Sequence, residues 1–173
     1  MVNKVVLITG ASSGIGLETA KLLAQNGYIV YGGARHLEKM EPLKAYGVHP
    51  IELDVTDEHL AKAAIREMLK NEGRIDVLYN NAGYGSYGAI ESVSLEEARK
   101  QLEENLIGIA RMCQLVTPII RFQHAGRIIM TSSAGGKLTT YLGGWYHVSK
   151  FGLESLANSL RMELAPFGIC VSV

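Results

Sequence analysis

Apolar positions along this chain fall into short β-branched runs that alternate with longer stretches of helical period. Lys4–Thr9 (KVVLIT), Tyr28–Gly33, His49–Leu53, Arg74–Tyr79 (RIDVLY), Arg127–Thr131 and Ile169–Val173 read as strands. Between them the period predicts helices over about Gly14–Asn26, Asp57–Asn71 and Trp145–Leu164. A short helical stretch is expected around Leu37–Tyr46, and one long or broken helical region over Ser94–Phe122. Thr56 or Asp57 can cap the helix that follows them, and Ser94 and Glu97 are spaced as a capping box. Strand–helix alternation repeated five times predicts an α/β protein whose parallel sheet carries helices on both faces. Right-handed crossovers then favour a doubly wound sheet of strand order 3-2-1-4-5-6.

Length and charge narrow the picture further. The chain has 173 residues, enough for one domain, and nothing inside reads as a linker, a repeat or a low-complexity segment. It stops at GICVSV, within a predicted strand, so residues 1–173 are expected to be the front part of a longer domain. Seventeen basic residues balance seventeen acidic ones, so no overall field recruits nucleic acid or an anionic membrane. Two isolated cysteines, Cys113 and Cys170, suit a reducing compartment and cannot form a disulfide framework. The first apolar run, Val5–Ile8, is too short for a signal-peptide core, and no stretch has the length of a membrane span. A soluble, cytoplasmic protein is expected.

The chemistry begins where the first strand gives way to the first helix, at TGASSGIG (Thr9–Gly16). In a doubly wound sheet this turn holds a pyrophosphate: glycines let the backbone approach, and the helix N-terminus offers free N–H groups and a positive dipole. The end of the second strand selects the dinucleotide. An Asp or Glu there, about 20 residues beyond the glycines, would bind the 2′-hydroxyl of NAD. Here the residues are Gly33, Ala34 and Arg35, and the first acid, Glu38, comes too late. Arg35 offers a guanidinium fork to a 2′-phosphate instead, with Ser13 as a hydroxyl donor, so NADP(H) is expected over NAD(H).

WYHVSKFGLESL (145–156) opens the last long helix and sets Tyr146 one turn from Lys150. A free phenol, with a pKa near 10, is a poor base at neutral pH. An ammonium held beside it favours the phenolate. Ser133, in MTSSAGG at the end of strand five, supplies a hydroxyl at the carboxyl edge of the sheet, where such folds bind ligands. Apart from this context the pair would be a packed tyrosine beside a solvated lysine.

In these motifs the chain resembles the short-chain dehydrogenase/reductase family, from Val2 to its last residue. The resemblance rests on TGASSGIG, the Asp54–Val55 pair after strand three, NNAG (80–83), Asn105 in ENLIG, the serine of TSS and Tyr146-x-x-x-Lys150. Ser133 stands thirteen residues before the tyrosine, which favours it over its neighbour Ser132. The glycine spacing is similar to that of the family's ordinary, NADP-preferring reductases.

The resemblance implies a Rossmann-like fold with a seventh strand and a substrate loop that this chain lacks. It also implies hydride transfer between NADP(H) and the carbonyl or alcohol carbon of a small molecule. Tyr146 would be the general acid/base, and Lys150 would lower its pKa and hold the nicotinamide ribose. Ser133 would orient the substrate oxygen, and Asn105 would hold a helix kink and a water that links Lys150 to solvent. Gly10, Ser12, Ser13, Gly14, Ile15 and Gly16 would hold the phosphates, with Arg35 at the 2′-phosphate. Asp54 and Val55 would meet the adenine, and Asn81, Ala82 and Gly83 would line the cleft. A homodimer or homotetramer is expected for the full-length protein, with no nucleic acid or membrane as partner.

Other readings bound this one. Asp54 could cap the next helix, and Asn105 could be a satisfied polar residue inside a helix. His147 reads as structural, because one residue along a helix turns it about 100° from Tyr146. Trp145 and Tyr141 read as wall or packing residues. His36, His49, His59 and His124 are scattered without metal-ligand spacing. Residues 84–92 (YGSYGAIES) and 137–145 (KLTTYLGGW) would form the rest of an apolar, aromatic pocket suited to a sizeable alcohol or ketone. NNAGYG and SKFGLESL look most like the steroid- and retinol-type branch. A non-catalytic NADP(H)-binding sensor of the same fold is the alternative. The intact Asn–Ser–Tyr–Lys set argues against it, and against a methyltransferase on the same sheet.

Overall fold

Five strand pairs, all parallel, set the architecture of residues 3–173, which a computed structural model describes. The strands are β1 (Val5–Thr9), β2 (Ile29–Ala34), β3 (Val48–Glu52), β4 (Val77–Asn80), β5 (Gly126–Met130) and β6 (Ile169–Ser172), in the spatial order β3-β2-β1-β4-β5-β6. The helices are α1 (Gly14–Gln25), α2 (Glu58–Glu72), α3 (Leu95–Leu102), α4 (Gly108–Phe122) and α5 (Gly144–Leu164). The fold class and the strand order expected from the sequence are those observed.

β1 is buried at every residue because neighbouring strands and both helix layers cover it. Val5 and Leu7 point into one apolar cluster with residues of α2, α4 and α5. Val6 and Ile8 point into the other, with Ala20 of α1, with Met40 between two 3₁₀ turns and with Leu43 in the second of them. Those turns, Leu37–Lys39 and Glu41–Tyr46, replace the single helical stretch expected there, and Pro42 stands near the start of the second. Parallel pairing brings every strand's carboxyl end to one edge. The order reverses between β1 and β4, and a crevice opens there.

Several local expectations change in detail. The cap of α2 is Asp57, whose carboxylate accepts from the backbone N–H groups of His59 and Leu60. Ser94 caps α3 by accepting from Glu97 N–H at 3.1 Å. The box is half made, since Glu97 Oε1 accepts instead from Tyr84 OH at 3.1 Å. Strand four starts at Val77, later than predicted, because Arg74–Asp76 form a clamp. Asp76 accepts from the buried Val5 N–H at 2.8 Å while Arg74 holds its carboxylate.

The long region over 94–122 is broken. α3 passes through a π-helical turn, Glu103–Ile107, into α4. Such a turn carries an extra residue and is frequent at functional sites. Here Asn105 lies within it and is completely buried.

Candidate active site

Thr9 ends β1, and its buried hydroxyl accepts from the backbone N–H groups of Asn81 and Ala82, each at 3.0 Å. Asn81 answers with its side chain, whose Nδ2 donates to the carbonyls of Thr9 and Gly10, each at 3.2 Å. The NNAG stretch beyond β4 is thereby stitched to the mouth of the glycine loop. The closeness explains the glycines. A Cβ at Gly10 would stand 2.8 Å from Ala82 Cα, and one at Gly16 would stand 2.5 Å from the Gly10 carbonyl oxygen. Gly10 also has φ +69°, a region an L side chain rarely enters.

α1 starts at Gly14 with neither a side-chain cap hydrogen bond nor an acidic residue in its first turn. Its N–H groups and positive dipole end face the crevice, where Gly10, Ser12, Ser13, Gly14 and Ile15 form one wall. The cleft holds about 770 Å³, room for an elongated ligand. A dinucleotide fits this donor set, with its phosphates on the glycine loop. Asp54 and Val55 lie on the next wall. The Asp54 carboxylate accepts from Thr56 N–H at 2.8 Å and from Thr56 Oγ1–H at 2.7 Å, a local turn and not a helix cap.

Arg35 follows β2 at the cleft, beside His36 and Lys39, with an exposed guanidinium 3.9 Å from Glu104 Oε2 across the opening. Glu38, the first acid after β2, lies against His36 at 3.3 Å.

At the other end of the cleft α5 presents Tyr146 and Lys150 one turn apart. Lys150 Nζ is 5.8 Å from the centre of the Tyr146 ring and donates to the Thr131 carbonyl at 2.9 Å. Burial pushes the Lys150 pKa below its ordinary value, because a desolvated ammonium is costly. Asn105 clamps the loop after NNAG from both sides. Its Oδ1 accepts from Tyr84 N–H at 2.9 Å and its Nδ2 donates to the Tyr84 carbonyl at 2.8 Å. The same Nδ2 reaches Ser149 Oγ at 3.1 Å, and Ser149 donates to the Tyr146 carbonyl at 2.7 Å. The π turn is thus joined to the tyrosine's own turn of α5. Tyr84, half-buried and facing Glu97, has its phenol pKa pushed up to about 12 by desolvation and the nearby carboxylate, so it stays protonated.

The two serines differ in direction. Ser132 Oγ is buried and makes no hydrogen bond among the described residues, and it lies where a Cβ on Gly136 would meet it at 2.8 Å, beside Glu154. Ser133 stands at the start of the next turn, and its Oγ accepts from Gly135 N–H at 3.1 Å. Tyr87 leans on Tyr146 at 5.5 Å between ring centres. The segment 137–145 joins that wall through Gly88 N–H, which donates to the Leu142 carbonyl at 2.8 Å. Tyr141, expected as wall or packing, is 90% exposed.

The crevice therefore gathers Gly10, Ser12, Ser13, Gly14, Ile15, Arg35, Asp54, Val55, Asn81, Ala82, Gly83, Tyr146 and Lys150. Gly16, Asn105 and Ser133 are not among the residues that line the crevice: Gly16 packs beneath the loop, Asn105 lies behind the Lys150 end, and it is Ser132, not Ser133, that lines the wall. Sequence reading missed the parts played by Thr9, Ser149, Tyr84 and Glu104. Thr9 stood inside the quoted motif, but its partners lie more than 70 residues away.

A model of the short chain dehydrogenase family matches residues 4–173. A 3-ketodihydrosphingosine reductase of Bacteroides thetaiotaomicron is 40% identical over 169 residues, which cover 97% of this chain and 61% of the relative. The solved structure of a short-chain dehydrogenase from Streptomyces avermitilis superposes with a TM-score of 0.96 at 37% identity. It matches 99% of this chain and 64% of its own. An alcohol dehydrogenase of Thermococcus sibiricus, solved in complex with 5-hydroxy-NADP, gives a TM-score of 0.91 at 29% identity over 99% of this chain and 75% of its own. The chain belongs to the short-chain dehydrogenase/reductase family. It spans about three fifths of the length of the curated reductase it matches.

The Thr9 bonds lead to a direct test. Thr9→Val keeps the shape and removes the acceptor, leaving two half-buried N–H groups unpaired at up to about 1–3 kcal/mol each. Urea unfolding should register a loss of at least about 2 kcal/mol, and dinucleotide affinity should fall with it. Thr9→Ser, which keeps the hydroxyl, should stay within about 1 kcal/mol of the parent.

Proposed function

We propose that this chain is the cofactor-binding and catalytic part of an NADP(H)-dependent oxidoreductase that interconverts an alcohol and a ketone or aldehyde on a largely apolar substrate. One observation carries the reading: Tyr146 and Lys150 face the far end of a cleft whose near end is the glycine loop at the N-terminus of α1. When bound, the nicotinamide supplies hydride to the carbonyl carbon. Tyr146 donates its phenolic proton to the carbonyl oxygen, and Ser133 hydrogen-bonds that oxygen. The Lys150 ammonium offsets the negative charge left on the tyrosine oxygen. In the reverse direction the phenolate takes the proton of the alcohol. Asn105 and Ser149 fix the turn that carries Tyr146, so that the phenol meets substrate in one orientation.

The NADP(H) preference rests on Arg35, exposed at the end of β2 beside Lys39, with Ala34 where an NAD-selecting acid would stand. The apolar substrate class rests on Tyr87, Ile90, Leu138, Tyr141 and Leu142, exposed on the two segments joined by the Gly88–Leu142 bond. A homo-oligomer and a cytoplasmic location belong to the same reading. Phe122 of α4 and Met162 of α5 are exposed apolar groups available to a second copy. No helix of the described residues is long and apolar enough to cross a membrane.

The decisive experiment is steady-state turnover of NADPH with a panel of aldehydes and ketones in the intact protein. Tyr146→Phe keeps the ring and removes the proton, and should lower turnover at least about 10²-fold with NADPH binding nearly unchanged. Ser133→Ala should also lower turnover, whereas Ser132→Ala, which alters a hydroxyl turned toward Glu154, should do much less. Retention of near-parental turnover by Tyr146→Phe would remove the acid/base assignment and leave a dinucleotide-binding protein.

Cofactor choice is read separately by fluorescence titration. One charged bidentate contact is worth about 1.5–3 kcal/mol, so Arg35→Ala should weaken NADPH roughly ten- to a hundredfold and leave NADH unchanged. Equal loss for both cofactors would assign Arg35 to the general shape of the cleft.

Lys150 allows function to be separated from stability. Its folded-state pKa is depressed by burial, so below that pKa the folded protein bears the cost of a buried cation. As pH rises through the folded pKa toward the unfolded value near 10.4, the parent should gain stability relative to Lys150→Met. At neutral pH the variant loses only the bond to the Thr131 carbonyl, worth about 0.5–1.5 kcal/mol, and sheds the buried charge. Its Tm should therefore stay close to the parent's or exceed it, while turnover falls. Thermal melts of both proteins between neutral and alkaline pH check the sign.

A further inference from the structure

The segment that leaves Ser133 and returns to the foot of α5 is held by one imidazole. His147, the residue after Tyr146, is 4% exposed and uses both ring nitrogens. Nε2 lies 2.9 Å from the Thr140 backbone nitrogen and 2.9 Å from Thr140 Oγ1, and Nδ1 lies 3.0 Å from the Gly135 carbonyl oxygen. A backbone N–H can only donate and a backbone carbonyl can only accept. Nε2 must therefore be bare and Nδ1 must carry the proton, which is the neutral Nδ1–H tautomer.

The ring also sets the spacing of the segment. A Cβ at Gly135 would stand 2.8 Å from Nδ1 and 3.1 Å from the Tyr146 ring. Further along, Leu142 has φ +61°, a left-handed conformation that strains a non-glycine residue. Its carbonyl nevertheless accepts from Gly88 N–H. Such strain persists only where the surroundings over-determine the backbone. The anchors here are Gly135, Thr140 and Leu142, and His147 supplies the first two.

We propose that His147, as the neutral Nδ1–H imidazole, is a positioning residue that holds residues 134–143 against the turn of α5 that carries Tyr146. It thereby sets Ser133 and the apolar wall at Leu142 relative to the phenol. Only the link to Ser133 and Tyr146 rests on the proposed chemistry; the tautomer and the hold on the segment do not.

The test has two arms on the intact protein. Imidazole ¹⁵N shifts of selectively labelled histidine should show Nδ1 protonated and Nε2 bare at neutral pH. Hydrogen exchange of a peptide spanning 134–143 should become markedly faster in His147→Phe, which keeps the ring volume and makes neither bond. In turnover, His147→Phe should raise the KM of the carbonyl substrate and lower kcat, each roughly tenfold, the worth of about one net hydrogen bond. The NADPH Kd should hold within about twofold, because the segment lies away from the glycine loop. His147→Gln, whose Oε1 can take the Thr140 N–H, should recover most of the KM. Thr140→Val, which keeps the backbone N–H, should leave both parameters close to the parent's.

A protonated Nε2, or exchange in His147→Phe as slow as in the parent, overturns the proposal. Both are read without turnover, so they decide it even if Tyr146 is not the acid. A parent inactive toward every carbonyl counts against the proposed chemistry alone.

Discussion

One hydroxyl, that of Thr9, receives the chain where β1 and β4 diverge. It is buried, and two consecutive backbone N–H groups end on it. Everything at the glycine-loop end of the crevice depends on that distance being kept. Gly10 can pass Ala82 only because neither adds bulk in between, and α1 can start beneath the loop only because Gly16 lies against the Gly10 carbonyl. A parallel sheet brings the strand ends to one edge, but it leaves the gap at the switch point open to variation. The Thr9–Asn81 stitching sets its width.

The opposite end is held by buried polar groups, and these are expensive. Asn105, Ser149 and His147 lie almost wholly inside the protein, and Lys150 is buried nearly as deeply. Each has found a partner, because an unpaired one would cost about 1–3 kcal/mol. The two apolar clusters on either side of β1 supply the stability against which such groups can be kept. Lys150 remains costly even when satisfied, since its one strong contact is a neutral carbonyl and no carboxylate is bonded to it among the described residues. A cation kept at that cost beside a phenol is a stronger mark of chemistry than a salt-bridged one would be.

Between the two ends the helices act as levers on loops. Glu97, Gln101 and Asn105 recur at four-residue spacing and bond Tyr84 OH, the Ser86 carbonyl and the Tyr84 backbone in turn. One face of α3 and its π turn therefore hold the loop that carries Tyr87 onto Tyr146. Arg111 of α4 ties the same turn to the Asp54–Val55 wall, bonding Glu103 at 2.7 Å and the Val55 carbonyl. The Tyr87–Tyr146 wall and the Asp54–Val55 wall are parts of one hydrogen-bonded frame.

The sequence by itself determined the six strands, their order, the glycine loop, the absence of an acid at the end of β2 and the Tyr146–Lys150 pair. These are local signals: a period of two or 3.6 residues, a glycine spacing, a side chain one helical turn from another. Element edges were less legible, because a capping side chain can be drawn to a tertiary partner, as Glu97 was drawn to Tyr84 and Asp76 to Val5. Tertiary structure alone decided which way Ser132 turns, that Thr9 and Ser149 carry the frame, and that Arg35 faces Glu104. It also decided that His147, read only as structural, spends both nitrogens on the segment leading from Ser133. The physical reason is separation along the chain. Thr9 and Asn81 are 72 residues apart, Asn105 and Ser149 are 44 apart, and no period or spacing pairs a donor with an acceptor at that range. Only the folded sheet brings them within 3.1 Å.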